Sequence, residues 1–224
     1  MTITRRTLIV SAAALPLVWL PGCATMGGFS LVEAIRRLLS LSGQRAFASL
    51  IRENGFLDSQ IAQISLPDAL GGQTGTSIVS AMLRSSGFRS RLTRQLNRAA
   101  EKGAEIAAPL VSEAIQSVSI EDAASIIRGG PEAATGLLKS KMGSALFTAM
   151  IPGIETGLKL FDSSAVTDAL KLATGIDLAG LRDDVSRKAS DGIYRAIGRE
   201  EAAIRADPQA TNDPLLIGVF GLIR

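Results

Sequence analysis

From residue 31 onward, apolar positions recur at steps of three and four. Leu31, Ala34, Ile35, Leu38 and Leu39 form one such stripe, and Phe47, Leu50 and Ile51 form another. A helix turns once in about 3.6 residues, so each stripe is a face that must be buried, whereas a half-buried strand would alternate at every second position. Ser30-Leu31-Val32-Glu33 has the form of a capping box and predicts a helix start. Ser42-Gly43 predicts an interruption, and Asn54-Gly55 a left-handed helix end. The period is lost over 56–74, where Ile61 to Pro67 reads as at most a short extended piece before the glycine-rich loop Gly71 to Gly75. It returns at Ile78, Val79, Met82 and Leu83, breaks at Gly87, and resumes with Phe88, Leu92, Leu96, Ala99 and Ala100. Pro109 is expected to kink or end that helix.

Ser119-Ile120-Glu121-Asp122 predicts a new helix start, and Gly129-Gly130-Pro131 closes one helix and opens the next with proline in its first turn. Helices over 131–151 and 152–161 are expected to meet at Pro152-Gly153. Ser163-Ser164 caps a segment through Leu172, Asp177 precedes another with Leu178, Leu181 and Val185, and Tyr194, Ile197 and Ile204 mark a last long helix ended by Asp207-Pro208. The apolar close, Leu215 to Ile223, is far shorter than the roughly twenty residues that span a bilayer and is expected to pack back onto the other helices. The predicted fold is all-α: a single compact multi-helix bundle after a signal segment.

That signal segment is read from the first residues. Arg5 and Arg6 give a basic start, and Leu8 to Leu20 form an apolar run of about thirteen residues, matching a signal-peptide core rather than a membrane span. Leu20-Pro21-Gly22-Cys23 follows and resembles a lipobox, with an aliphatic residue three before the cysteine and a small residue directly before it. The expected organisation is a lipoprotein signal peptide over 1–22, a lipidated tether over 23–29 beginning at Cys23, and a helical domain over 30–224. Thr4-Arg5-Arg6-Thr7-Leu8-Ile9 also resembles a twin-arginine export signal, so that route and general secretion both stay open. Ala24 rather than Asp follows the cysteine, which by analogy with enteric bacteria points to the periplasmic face of the outer membrane.

Charge and composition narrow the chemistry. The net charge is +3 and the sequence pI about 9.3, yet Arg5 and Arg6 supply two of the basic residues and residues 1–22 hold no acid, so the remainder is nearly neutral. With aromatics at 4%, stacking platforms are few, and no nucleic-acid partner is expected. The chain has no His, which removes the usual general base and the commonest transition-metal ligand and excludes Ser-His-Asp and Cys-His catalysis. Its one Cys can form no intramolecular disulfide, and lipidation would consume the free thiol. No metal and no cofactor are expected.

The polar residues that invite a functional reading lie on two helices. Asn97, Arg98 and Glu101 fall within about one turn, with Glu105 extending the Asn97–Glu101 face. Glu200, Glu201 and Arg205 form a second group, Glu201 and Arg205 standing four apart in the orientation that favours pairing. Together the six are a candidate polar cluster; the alternative is salt-bridged surface or a buried clamp between helices. Glu121-Asp122 and Asp183-Asp184 are neighbours that point apart around a helix, so no carboxylate pair for hydrolysis is assigned. Ser140-Lys141 defines no nucleophile by adjacency alone, and the loop at 71–75 lacks the Lys-Ser/Thr ending of a phosphate-binding loop. No catalytic residue is assigned.

Three ordered blocks carry a family resemblance. They are Leu96 to Glu101; Glu121-Asp122-Ala123 running through Ile127, Gly130 and Ala133-Ala134-Thr135; and Glu200 to Pro208 leading to Leu215-Leu216 and Val219-Phe220-Gly221. Over about residues 30–221 the chain resembles the bacterial envelope family catalogued as domain of unknown function 4197, whose members commonly carry signal or lipoprotein leaders. The resemblance implies an all-helical fold and brings no established activity. After Ala134-Thr135 this chain has Gly136-Leu137 where the family has an aromatic pair, so a pocket lined by those aromatics is not expected here.

The expectation is a non-enzymatic binding or structural module held at a membrane through lipidated Cys23, with an envelope protein as its partner. The alternative is a carrier or low-turnover enzyme acting on an apolar envelope molecule in a cavity between the Gly- and Ala-rich helices.

Overall fold

The computed structural model describes residues 24–67, 85–159 and 177–221, with isolated positions at 81, 168, 171 and 175. Arg5, Arg6, Leu20, Gly22 and Cys23 lie outside the described residues, as do the glycine-rich loop at 71–75, most of the helix expected around Ile78 to Leu83, and most of the segment expected from Ser163 to Leu172. Among the described residues the regular structure is entirely helical: α1 (Ala24–Ile51), α2 (Ser86–Gln116), α3 (Ile120–Ile127), α4 (Ala133–Met142), α5 (Ala145–Leu158), α6 (Leu178–Ala206), a 3-10 turn (Pro208–Thr211) and α7 (Pro214–Phe220). None of these helices is long and apolar enough to cross a membrane.

Several boundaries follow their caps. The Ser85 hydroxyl accepts from the Phe88 amide at 3.3 Å and starts α2. Ser119 and Asp122 form a reciprocal capping box on α3, and the Asp177 carboxylate accepts from the Gly180 amide at the head of α6. Asp213 accepts from the Leu215 and Leu216 amides, with Pro214 in the first turn of α7. The expected helices around Val185 and Tyr194 are one continuous rod.

Four boundaries depart from the expectation. α1 runs without a break from Ala24, so residues 24–29, expected as a flexible tether, are its first turns and Ser30 lies inside it. It also passes through Ser42-Gly43: the buried Ser42 hydroxyl turns back to the Leu38 carbonyl at 2.8 Å, and at Gly43 a side chain would meet Ile115 of α2 only at ordinary contact distance. α2 continues through exposed Pro109, because buried Val111 and Ile115 hold its last turns against the core. The break expected at Pro152-Gly153 falls instead at Gly143, whose φ of 51° is left-handed and natural for glycine. Pro152 stands within α5, and its neighbour Gly153 must face α2: a Cβ there would overlap the Lys102 carbonyl.

The α2–α5 seam is the closest helix contact. A Cβ on Gly157 would come within 2.5 Å of Ala99 Cα, and one on Gly103 within 2.9 Å of Ile154 Cγ1. Small residues let the two backbones approach closely along this seam. Ile35, Leu38 and Leu39 of α1, Leu96 of α2, Ile154 of α5 and Ile193 and Ile197 of α6 join in one core. Leu216 and Phe220 of α7 are buried in it, so the apolar close packs back onto the bundle as far as residue 221.

Candidate functional site

The six candidate polar residues do not form one cluster. They fall into two buried joints, one exposed ion pair and one cleft, each defined by different partners.

The first joint is built on Glu201, which is fully buried on α6. α4 has no side-chain cap of its own, so the amides at its N-terminus need acceptors from elsewhere. Glu201 supplies them. Its Oε1 accepts from the Ala134 amide at 3.0 Å, and its Oε2 accepts from both the Thr135 amide and the Thr135 hydroxyl at 2.7 Å. One turn on, Arg205 Nε donates to Oε1 at 2.9 Å, its Nη2 donates to the Ile126 carbonyl at 3.3 Å, and its guanidinium lies 4.9 Å from the centre of the Phe220 ring. A carboxylate at a helix N-terminus meets the positive end of the helix dipole, and here every oxygen is also hydrogen-bonded. The joint ties α3, α4, α6 and α7 together. Glu200, next along α6, does something else: it reaches Arg45 of α1 at 3.9 Å on the surface.

The second joint is Asn97. Its side chain is buried and bonds both polar groups of Ile64, accepting from the amide at 2.8 Å and donating to the carbonyl at 3.1 Å, while also donating to the Thr93 carbonyl of its own helix. This is the hydrogen-bond pattern of a strand neighbour, and it fixes the short extended piece over 63–67 to α2.

The cleft lies one turn further along α2. It measures about 480 Å³ and opens between the end of α1, α2 and the end of α5, with Glu53, Arg98, Glu101, Lys102 and Thr156 among its walls. Glu101 is only 8% exposed, and its Oε1, closed off from solvent, has no hydrogen-bond partner among the described residues. Burial pushes its carboxyl above the usual carboxylate range, while Arg98 and the Phe56 and Asn54 amides pull the other way. Those amides come from the turn that ends α1, where Asn54 adopts a left-handed φ of 61°. Arg98 pairs with Glu53 at 3.0 Å and Lys102 with Glu105 at 2.9 Å, both in solvent. Glu105 lines the same cleft as Glu101, whereas Asn97 is turned to Ile64 and is not part of it.

The remaining acid and nucleophile candidates are engaged elsewhere. Lys141 pairs with Asp122 at 2.8 Å, Asp183 with Arg182 and Asp184 with Lys188. Among the described residues no group of three acidic, His or Cys side chains could hold a metal ion. Sequence reasoning missed Thr135 as the partner of Glu201, and Glu53 as a wall of the cleft. Both lie far along the chain from the residues they meet, and no local spacing marks them.

Helices closed by small residues, with buried side chains tying loop and helix ends to them, define a compact all-helical bundle. The chain belongs to the family described as protein of unknown function (DUF4197), whose sequence model matches residues 25–221. No curated protein and no solved structure matches it.

Proposed function

We propose that this protein is a lipid-anchored module of the cell envelope, held by acyl chains at Cys23 on the periplasmic face of the outer membrane and acting by binding rather than by catalysis. The observation that carries the reading is the position of the single cysteine. Cys23 closes an apolar run of signal-peptide length, follows Leu20-Pro21-Gly22, and stands one residue before α1. Several acyl chains on one residue give the stable attachment that a single chain does not. Binding is favoured because Glu201 and Asn97 spend their polar atoms on the protein's own backbone.

The test is mass spectrometry of the native amino terminus together with membrane fractionation of Cys23→Ser. The expected terminus is an acylated Cys23, and the variant is expected to leave the outer-membrane fraction. A native chain that retains residues 1–22, or one that begins elsewhere without acyl chains, refutes the anchor. In-cell crosslinking from the cleft wall, at Thr156, is expected to capture an envelope partner.

A further inference from the structure

We infer that the arginine stripe on the first half of α2, Arg91, Arg94 and Arg98, is a docking surface for an acidic segment of a partner protein. The three stand at i, i+3 and i+7, so they share one face and span about 10 Å along the helix axis. All three are exposed. Arg98 pairs with Glu53 at 3.0 Å in solvent, while Arg91 and Arg94 have no ion-pair partner among the described residues. The fold does not account for this charge. Like charges at i,i+3 and i,i+4 oppose a helix, and Arg91–Arg94 and Arg94–Arg98 are such neighbours. Helices also favour acids early and bases late. α3 follows that rule with Glu121 and Asp122 in its first turn, and α4 with Lys139 and Lys141 in its last. α2 runs against it: from Ser86 to Ala100 it has four arginines and no acid, and Glu101, Glu105 and Glu113 all come later. The chain fastened alongside does not supply the missing anions, since residues 59–67, held to α2 where Asn97 bonds Ile64, contain no acid. A solvent-facing arrangement that opposes its own helix is the kind of local conflict found where a protein meets a partner, and a partner's anions resolve it.

The stripe is bounded, and this selects the occupant. At its inner end Glu53 stands on Arg98, and one turn further Glu105 stands on Lys102. A phosphate-bearing membrane surface or a nucleic acid presents negative charge without a break and would press on these acids. A protein segment with two or three carboxylates about a turn apart would not. Arginine is the base throughout, and its planar fork takes a carboxylate through two parallel N–H bonds. At Arg98 the partner's carboxylate replaces Glu53, one solvent-exposed ion pair for another, an exchange that costs little. The inference deepens the binding role proposed above by naming the chemistry of the partner, and it does not depend on the anchor at Cys23.

The experiment is a binding titration of the purified full chain, read by fluorescence anisotropy of a labelled alanine-rich helical peptide that carries three Glu at the spacing of the stripe. A second peptide of the same composition has its three Glu gathered at one end. The spaced peptide is expected to bind saturably and more tightly than the gathered one, with an affinity that falls as salt is raised. Phosphatidylglycerol vesicles are expected to hold no more protein than phosphatidylcholine vesicles do. Exchanging both Arg91→Gln and Arg94→Gln should lower the affinity for the spaced peptide at least about tenfold. The same double variant should unfold in urea at the native midpoint or above it, because it removes repulsion within α2, whereas arginines that serve the fold would lower the midpoint. No saturable binding of the spaced peptide, equal affinity for the two peptides, a folded double variant that binds as tightly as the native chain, or a preference for phosphatidylglycerol vesicles would each overturn the inference. None of these readouts involves acylation of Cys23, so the docking surface and the anchor fail separately.

Discussion

Replacing Glu201 by Ala removes the acceptor from four donors at once: the amides of Ala134 and Thr135, the Thr135 hydroxyl and Arg205 Nε, at 3.0, 2.7, 2.7 and 2.9 Å. Bonds to a charged group contribute about 1.5–3 kcal/mol each in isolation, but four bonds to one carboxylate share its desolvation and do not add. The better guide is the cost of breaking a buried ion pair from one side, about 3–5 kcal/mol, because Arg205 is left largely enclosed without its counter-charge. The expected loss is about 4 kcal/mol, a large share of the roughly 5–15 kcal/mol that holds a domain together. In urea, with a slope near 2 kcal/mol per molar, that moves the unfolding midpoint by about 2 M with the slope unchanged. Glu201→Gln keeps one oxygen and turns an amide donor onto existing donors, so it should fall between Ala and the native chain. Glu200→Ala is the internal control: its one ion pair among the described residues is a 3.9 Å surface contact, and it should stay within about 0.5 kcal/mol. The reasoning is refuted if Glu201→Ala costs less than about 1 kcal/mol, or no more than Glu200→Ala.

The other predictions test single contacts. Asn97→Ala strips both polar groups of Ile64 of their partner and should cost about 2 kcal/mol, with faster hydrogen exchange at the Ile64 amide and little change at α4. Gly153→Ala drives a methyl into the Lys102 carbonyl and should lower stability by about 1–3 kcal/mol or more in thermal unfolding. Gly136→Ala, on an exposed helical position with open space around it, should raise stability by about 0.5–1 kcal/mol. Asp122 is held below the usual carboxylate range, first by its bond from Lys141 and then by the Ser119 amide. Its contribution is therefore complete above the unfolded value of about 3.9 and disappears as the pH falls through the lower folded value, so Asp122→Asn should flatten the acid limb of a stability-against-pH curve. Glu101 has the opposite sign: its raised value penalises the folded state as the pH rises above the unfolded carboxylate range, so Glu101→Gln should look relatively better at pH 7 than at pH 4 in the same measurement.

How far the sequence could be read depended on whether the deciding contact was local. Ser119 and Asp177 act on amides within three residues of themselves, Pro208 ends its helix by having no N–H to give, and the boundaries they predicted are present in the structure. Pro152 misled because its effect was settled by another helix: the seam with α2 holds α5 helical through a proline. Ser42-Gly43 misled because the Ser42 hydroxyl is satisfied by the Leu38 carbonyl of its own helix, so nothing there breaks α1. The site was legible in its residue types but not in its grouping. The i,i+4 rule put Glu201 beside Arg205, yet nothing short of the fold could bring Thr135 to them or separate Asn97, bound to Ile64, from Glu101 in its cleft.

The joint at Glu201 also has a place in time. Its donors on α4 stand 66 and 67 residues before it, and the Ile126 carbonyl stands 79 before Arg205. Closing a loop of that length costs on the order of 4 kcal/mol in chain entropy before any bond repays it. Native order at this joint therefore belongs to the last stage of assembly, after the nearby pairing of α4 and α5 with α2 has shortened the path. Loss of the carboxylate should then appear chiefly as faster opening of the finished molecule and only slightly as slower formation. Where a finished molecule is lost by opening, the rate of opening sets how long it lasts, and the buried Glu201 carboxylate on α6 is one of the contacts that slow it.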